Sequence, residues 1–260
     1  MTYSNIYSQY DNFMGRWSRK VAALFLKNIP TKNGLNWLDV GCGVGTLTQI
    51  ISENYSPSTI IGIDPLETSI RAAKYHPHHT DIEFELGNAE NLPFENLSFD
   101  AVVSGLMIKF VPDKKKAISE MKRVTRVGGI VALYDWDMAS NMNTTRHFWS
   151  AVEDTAPLDH STSKTIRTPI AEASILKKYF EEAGLNNVQE RTLSFTTRFR
   201  DLDDYWKPIT QNSQNVGRFY KKMSDEHRNA VYEKLKETLP FKKDGSIRFE
   251  SRAIMAQGYA

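Results

Sequence analysis

Residues 38–48 read LDVGCGVGTLT: an apolar run carrying Asp39, then glycines at 41, 43 and 45, then the start of a helical pattern. A glycine-rich turn between a strand and a helix lets the main chain approach a ligand closely, because no Cβ stands in the way. In an open parallel sheet such a turn lies at the carboxyl ends of the strands, where ligands bind at the switch in strand order. Two familiar loops fit poorly. A dinucleotide turn needs G-x-G-x-x-G, and here the third glycine comes one residue early, with Thr46 after it and Asp39 before it. A triphosphate loop needs G-x-x-x-x-G-K followed by Ser or Thr, which the chain lacks.

Working outward, short apolar runs alternate with helical stretches. Segments 35–40, 59–63, 82–86, 99–104 and 130–134 read as strands, and 46–53, 67–75 and 113–124 as helices. The last helix carries Ala117, Ile118, Met121 and Val124 on one face, with Gly128 and Gly129 as its stop. Such alternation predicts a parallel sheet with helices on both faces. Ahead of the loop, Met14, Trp17, Val21, Leu24, Phe25 and Leu26 recur at helical spacing up to Pro30. Further on, 171–183 predicts a helix stopped by Gly184. Segments 191–199 and 246–257 alternate, as strands of an antiparallel edge do. Two stretches, 138–170 and 200–244, exceed a minimal sheet and read as insertions over one end of it, with helical patterns at 205–209 and 226–239.

The 260 residues suit one domain, and 40% hydrophobic content supplies a core for it. A net charge of +2 speaks against nucleic acid as a partner. No apolar run approaches the roughly 18 residues that span a bilayer. The start, MTYSNIYSQYDN, has no basic and apolar leader, and a single cysteine forms no internal disulfide. The expected setting is cytoplasmic, with no metal site and no membrane partner. Oligomeric state is not legible.

The run D-V-G-C-G-V-G closing the first strand resembles motif I of the class I S-adenosylmethionine-dependent methyltransferases. IIGIDP (60–65) puts Asp64 at the tip of the second strand, and ELGNAENLPFENLSFDAVVSGLMIKFV (85–111) looks like the family's third and fourth motifs. MKRVTRVGGIVAL (121–133) looks like its R-V-L-x-P-G-G segment, with Val127 where proline is common. YDNFMGRWSR (10–19), YWKP (205–208) and SRAIMAQG (251–258) resemble a bacterial subgroup of methyltransferase type 11 domain proteins.

The resemblance implies a Rossmann-like α/β fold: a seven-stranded, mostly parallel sheet with one antiparallel strand and helical insertions forming a cap. The core would be about 30–137, 171–200 and 245–258; cap elements would be 1–29, 138–170 and 200–244. The implied activity is methyl transfer from S-adenosylmethionine, leaving S-adenosylhomocysteine, to a small-molecule acceptor by in-line displacement, with the attacked atom (O, N, S or C) open. Carried over by position, Gly41, Cys42, Gly43 and Gly45 form the loop that passes the methionine end, and Asp39 anchors that loop. Asp64 takes the ribose hydroxyls, as a carboxylate accepts from a cis-diol. Pro65 or Leu66 packs on the adenine, Asn88 and Ala89 bracket its edge, and the backbone of Ser104, Gly105 and Leu106 faces the methionyl amine. In relatives the N-terminal helix closes over the cofactor, which makes Tyr10 and Arg16 candidates, Arg16 for the methionyl carboxylate.

A general base is needed only where the nucleophile is protonated. Asp135 and Asp137 in LYDWD (133–137) and His147 are the candidates, although Asp135 reads first as a loop anchor and His147 as a packed side chain. Where amide-nitrogen and adenine-nitrogen methyltransferases carry [DN]-P-P-[YF], this chain has Ser104-Gly105-Leu106-Met107, which argues against that chemistry. Cys42 reads as a small loop residue, HPHH (76–79) as a solvated loop away from the site, and DKKK (113–116) as a solvated helix start. Trp136 and Trp206 either line a pocket or pack under the insertions. The rival functions are a methyltransferase of protein or RNA, a non-catalytic S-adenosylmethionine-binding module, and a dinucleotide-dependent oxidoreductase.

Overall fold

The computed structural model describes residues 15–77, 79, 81–137, 143–155, 175–211 and 215–260. Seven strands form one sheet: β1 Asn36–Val40, β2 Thr59–Asp64, β3 Glu83–Leu86, β4 Phe99–Gly105, β5 Thr125–Trp136, β6 Asn186–Phe199 and β7 Ile247–Tyr259. Their order is β3-β2-β1-β4-β5-β7-β6. The first five run parallel, and β7 is antiparallel to both β5 and β6. The strand order reverses between β1 and β4, so the loop after β1 sits at the switch point of a Rossmann-like sheet. The expected single antiparallel strand is present, but it lies one position in from the edge. β6 is the edge strand, paired along its length to β7.

Helices α1 Arg16–Lys27, α2 Thr46–Tyr55 and α3 Glu67–Tyr75 bury their apolar stripes in one core, on the sheet face that carries Trp37, Val103 and Tyr134. In α1 the buried set includes Trp17, Val21 and Phe25, one residue per turn, which is why this segment is a helix with one face sealed. Helices α4 Lys114–Val124 and α6 Ile175–Glu182 cover the opposite face around Leu38, Val102 and Leu133. Residues 171–174 of the expected 171–183 helix lie outside the described residues.

The expected role of Gly128 and Gly129 as a helix stop is corrected. α4 ends at Val124, where Thr125 turns extended and its hydroxyl donates to the Met121 carbonyl (2.6 Å). The glycines lie inside β5, in a stretch that bonds the chain end: Gly128 N–H to the Ala260 carbonyl, and Ala260 N–H to that of Gly129 (both 3.0 Å). As expected, Asp113 is a helix start: its carboxylate accepts from Lys116 N–H.

The cap consists of α5 Asn143–Thr155, α7 Leu202–Gln211, α8 Asn215–Lys222 and α9 Asp225–Thr238. Most of the 138–170 insertion lies outside the described residues. The cap has no separate core. Phe148, Tyr205, Ile209, Val231 and Leu235 join the same buried cluster as α1 and the sheet. Trp206 meets Tyr220 and Tyr232 edge-on at 5.2 and 5.3 Å, and Trp136 lies 5.9 Å from Phe195. Both tryptophans pack into the shared core, Trp206 from within α7 and Trp136 from β5. No described helix is long and apolar enough to cross a membrane.

One ion pair joins the first helix to the cap. Arg16 donates to both carboxylate oxygens of Asp204 (3.1 and 3.3 Å) and to its carbonyl (3.3 Å), with the guanidinium over the rings of Trp17 and Phe199 at 4.7 and 4.9 Å. Asp204→Ala leaves the cation on two aromatic faces with only the backbone carbonyl to accept from it. The expected cost is about 1–2 kcal/mol, the range for hydrogen bonds to charged groups, read as a lowered urea midpoint with an unchanged slope.

Candidate functional site

The site is built from the ends of β1, β2 and β4. Gly41 and Cys42 both donate their N–H to the carbonyl of Ile63 (2.7 and 3.0 Å), which turns the chain out of β1. Gly43 then donates to Asp64 Oδ2 at 3.0 Å, and Leu66 N–H donates to Oδ1 at 2.9 Å. The Asp64 carboxylate is thereby clamped between two loops, each oxygen keeping room for a further donor. Burial raises its pKa, against the two amide bonds.

Asp39 lies on β1 with no exposure. Thr48 on the first turn of α2 donates to its Oδ2 at 2.7 Å, while Oδ1 is buried without a partner. Burial, with the nearby Asp64 charge adding to it, pushes the Asp39 pKa up to about 7. A buried acceptor with nothing to accept from is a vacancy in the hydrogen-bond accounting. A cationic amine fits it in charge and in hydrogen-bonding sense.

The loop leaves space in one place. Gly43 has φ +56°, and a Cβ built on it meets nothing within 4 Å, whereas a Cβ on Gly45 (φ +86°) falls 2.7 Å from His79 and 2.8 Å from Phe84. The open side of the loop therefore lies at Gly43, beside the Asp64 carboxylate. Leu66, 60% exposed, follows Asp64, and Leu86, 58% exposed, pairs with it across the β2–β3 ladder. Two bare leucines flanking a clamped acid offer a flat apolar ligand face something to cover. Leu86 was missed from sequence, where it reads only as the last residue of a strand.

Among the other expected residues, Pro65 is exposed and Ala89 is buried. Asn88 is exposed, and its Oδ1 already accepts from Glu90 N–H at 3.0 Å. The Ser104 hydroxyl is buried with no partner. Gly105 lies against the Tyr134 ring. Leu106 takes φ +61° and donates its N–H to the Tyr134 carbonyl at 2.8 Å. Met107 then reaches back over Gly41, its Cγ only 2.1 Å from where a Cβ there would stand. The turns after β1 and β4 are thus in direct contact. Cys42 is buried and its thiol pKa is raised by burial, which suits a loop residue and not a nucleophile.

The fold gives the remaining candidates the following partners. Arg16, proposed for a methionyl carboxylate, is committed to Asp204 because the cap folds back onto α1. Asp135, a candidate base, is held in an ion pair with Lys109 at 3.0 Å and is an anchor. His147 stacks on Phe249 at 5.0 Å, and burial lowers its pKa. Asp137 is buried, with its N–H on the Arg252 carbonyl at 3.0 Å. Of HPHH, Pro77 is exposed, but His79 is buried, its Nδ1 2.7 Å from the Ala73 carbonyl, and packs behind Gly45. Tyr10 lies outside the described residues. Among the described residues no cluster of metal-ligating side chains occurs.

Residues 38–133 match the family model described as a methyltransferase domain. The chain is 28% identical over 191 residues to a demethylmenaquinone methyltransferase of Lactobacillus johnsonii, an alignment covering 66% of this chain and 75% of the relative. It is 36% identical over 137 residues to the demethylmenaquinone methyltransferase of Lactococcus lactis, covering 50% and 54%. In fold it resembles the YcgJ protein of Bacillus subtilis (TM-score 0.59, 19% identity, 92% of this chain and 97% of that one). It also resembles phosphoethanolamine N-methyltransferase 2 of Haemonchus contortus in complex with S-adenosyl-L-methionine (TM-score 0.61, 17% identity, 99% and 57%).

Two glycine variants separate fold from binding. Both Gly43→Ala and Gly45→Ala incur about 1–2 kcal/mol for a left-handed alanine. Gly45→Ala adds overpacking against His79 and Phe84, roughly a further 1–3 kcal/mol. Gly43→Ala keeps the fold but loses about tenfold or more in affinity for S-adenosylhomocysteine by calorimetry.

Asp39 makes stability and binding respond to pH in opposite directions. Its folded pKa of about 7 exceeds the ordinary 3.8, so the folded chain holds a proton that the unfolded chain gives up. That contribution is complete below the unfolded value and is lost as pH rises through about 7. The melting temperature of the ligand-free protein is expected to fall relative to that of Asp39→Asn as pH rises from about 3.8 to about 7, and to run parallel to it above that. Affinity for the cationic amine of S-adenosylhomocysteine rises over the same window, and in Asp39→Asn it does not.

Proposed function

We propose, for a chain that carries a class I S-adenosylmethionine-dependent methyltransferase domain, that the methyl acceptor is a small molecule with a flat apolar body. The observation that carries the cofactor half is the open side of the loop at Gly43, between an unsatisfied buried carboxyl and a clamped one. Asp64 would hold the ribose diol, Asp39 the amine, directly or through a water, and Leu66 with Leu86 the adenine faces. When bound, the cofactor supplies an electrophilic methyl on a sulfonium. The chain supplies position: the β1 and β4 turns, locked by Met107 over Gly41, fix where an acceptor must stand for in-line attack.

The small-molecule reading has two supports. The relatives that align over most of this chain are named for a quinone-type acceptor, so a demethylated naphthoquinol is the first candidate to try. Three of the six cations in the 198–222 stretch that would favour nucleic acid or an acidic protein are neutralised locally: Arg198 on Asp244, Arg200 on Asp204 and Lys207 on Asp203. We read the chain as one domain, with 1–29, 138–170 and 200–244 as cap elements, because the described helices of these segments share one buried cluster with the sheet. A cytoplasmic setting belongs to the same reading, with the single cysteine kept as a buried thiol.

Calorimetric titration with S-adenosylhomocysteine, with NADH in parallel, decides the cofactor. Micromolar binding of the thioether is expected, with none for NADH. Asp64→Ala weakens the thioether at least about a hundredfold, as removal of a charge-assisted diol contact does. Tight NADH binding sinks the reading. Methyl transfer from labelled donor to the naphthoquinol then tests the acceptor class.

A further inference from the structure

Lys109 stands in an otherwise apolar run, GLMIKFV (105–111), on the turn that follows β4. Its ammonium lies 3.0 Å from Asp135 Oδ1, with the lysine side chain 14% exposed and the aspartate 4%. Asp135 is well satisfied. Its Oδ1 also accepts from Trp136 N–H (2.7 Å), and its Oδ2 from Lys109 N–H (3.3 Å). The ammonium is not. Of its three donors, one has a protein acceptor among the described residues; its other neighbour is the face of Phe110, 5.1 Å to the ring centroid. Phe110 itself is 76% exposed.

The carboxylate accepts from one of the three N–H groups, and a side chain 14% exposed leaves the others open to water or to a ligand. A purely structural anchor for Asp135 is already provided by two backbone amides. The pair lies at the carboxyl ends of β4 and β5, and Met107, two residues before Lys109, rests on the glycine loop. A cation with spare donors beside a bare aromatic ring therefore borders the proposed cofactor loop.

We propose that Lys109 binds the oxyanion of an acidic hydroxyl, a phenol or enol, whose ring covers Phe110, and that Asp135 is the positioning residue that aims the ammonium. This rests on the methyltransferase reading above and names its acceptor class. The hydroxyl proton leaves to solvent as the acceptor binds in its ionised form. The oxyanion is then paired with the Lys109 ammonium, one negative charge against one positive. No general base is then required, which agrees with an Asp135 that is fully engaged.

The probe is 4-nitrophenol, whose phenolate absorbs visibly, added to protein saturated with S-adenosylhomocysteine. Bound probe is expected to ionise about one pH unit lower than free probe, a tenfold preference for the phenolate. Lys109→Arg keeps part of that shift. Lys109→Met abolishes it while affinity for S-adenosylhomocysteine is unchanged. Should the single variant fail to fold, Lys109→Met with Asp135→Asn removes the pair together and carries the same expectation. 4-Nitroanisole, which cannot ionise, binds wild type no better than Lys109→Met. A phenolate shift that survives in Lys109→Met overturns the proposal, as does absence of any probe binding. So does a tenfold loss of S-adenosylhomocysteine affinity in Lys109→Met, which would give the lysine to the cofactor's carboxylate. Failure of wild type to bind S-adenosylhomocysteine at all is a different result: it removes the methyltransferase reading and this inference with it.

Discussion

The end of β2 holds the site together. The Ile63 carbonyl accepts the amides of Gly41 and Cys42, and the Asp64 side chain accepts those of Gly43 and Leu66. A loop with three left-handed glycines has little conformational preference of its own, so its shape must be imposed from outside. Two consecutive residues of a neighbouring strand impose it. Because β1 and β2 are parallel and in register from Asn36–Thr59 to Val40–Ile63, the clamp follows from the sheet. Any ligand held by Asp64 is thereby placed relative to the loop, and the Met107 contact carries that placement on to the turn after β4.

The same geometry gathers charge of one sign. Asp39 is buried behind the loop and Asp64 sits at its rim; burial first, and then the Asp64 charge, disfavour ionisation of Asp39, while burial alone raises Asp64. Neither has a cationic side chain among its hydrogen-bond partners; Thr48 and two backbone amides are the groups that stabilise them. This arrangement stabilises the folded chain less than a paired one would. It suits a site whose ligand brings a positive amine and a diol, since ligand and protein are then complementary and binding raises stability by mass action.

The strands and helices were legible because their signals are local. Apolar runs and helical spacing mark β1 to β4 and α1 to α4 within one or two residues, and the glycine spacing identified the loop. What was not legible is partnership. Arg16 reads as a free cation until α7 folds back 188 residues away to present Asp204. His79 reads as solvated until Phe84 and Gly45 close over it. Helix α8 was missed because it is only eight residues long and carries Gly217, and packing of Val216 and Phe219 into the shared core stabilises it. The glycine pair at 128–129 misled for a related reason: it reads as a helix stop, but it serves the hydrogen bonds of the chain end.

Lys109 shows how a residue can be conspicuous in sequence and still need the fold to be interpreted. A lysine in GLMIKFV breaks an apolar run, yet the run alone does not say whether the lysine escapes to solvent. The parallel pairing of β4 with β5 places Gly105 beside Tyr134, so the next residue of β5, Asp135, faces the turn that bears Lys109. The ion pair is thus a consequence of register. A one-residue slip would put Asp135 on the other face of the sheet and leave the lysine without it. The cofactor loop is set by the register of β1 on β2, and the lysine by that of β4 on β5. The relation between them is fixed by the β1–β4 ladder, which joins Trp37, Leu38 and Asp39 to Ala101, Val102 and Val103. Asp64 and Lys109 are therefore held at a common edge of the sheet by three adjacent ladders.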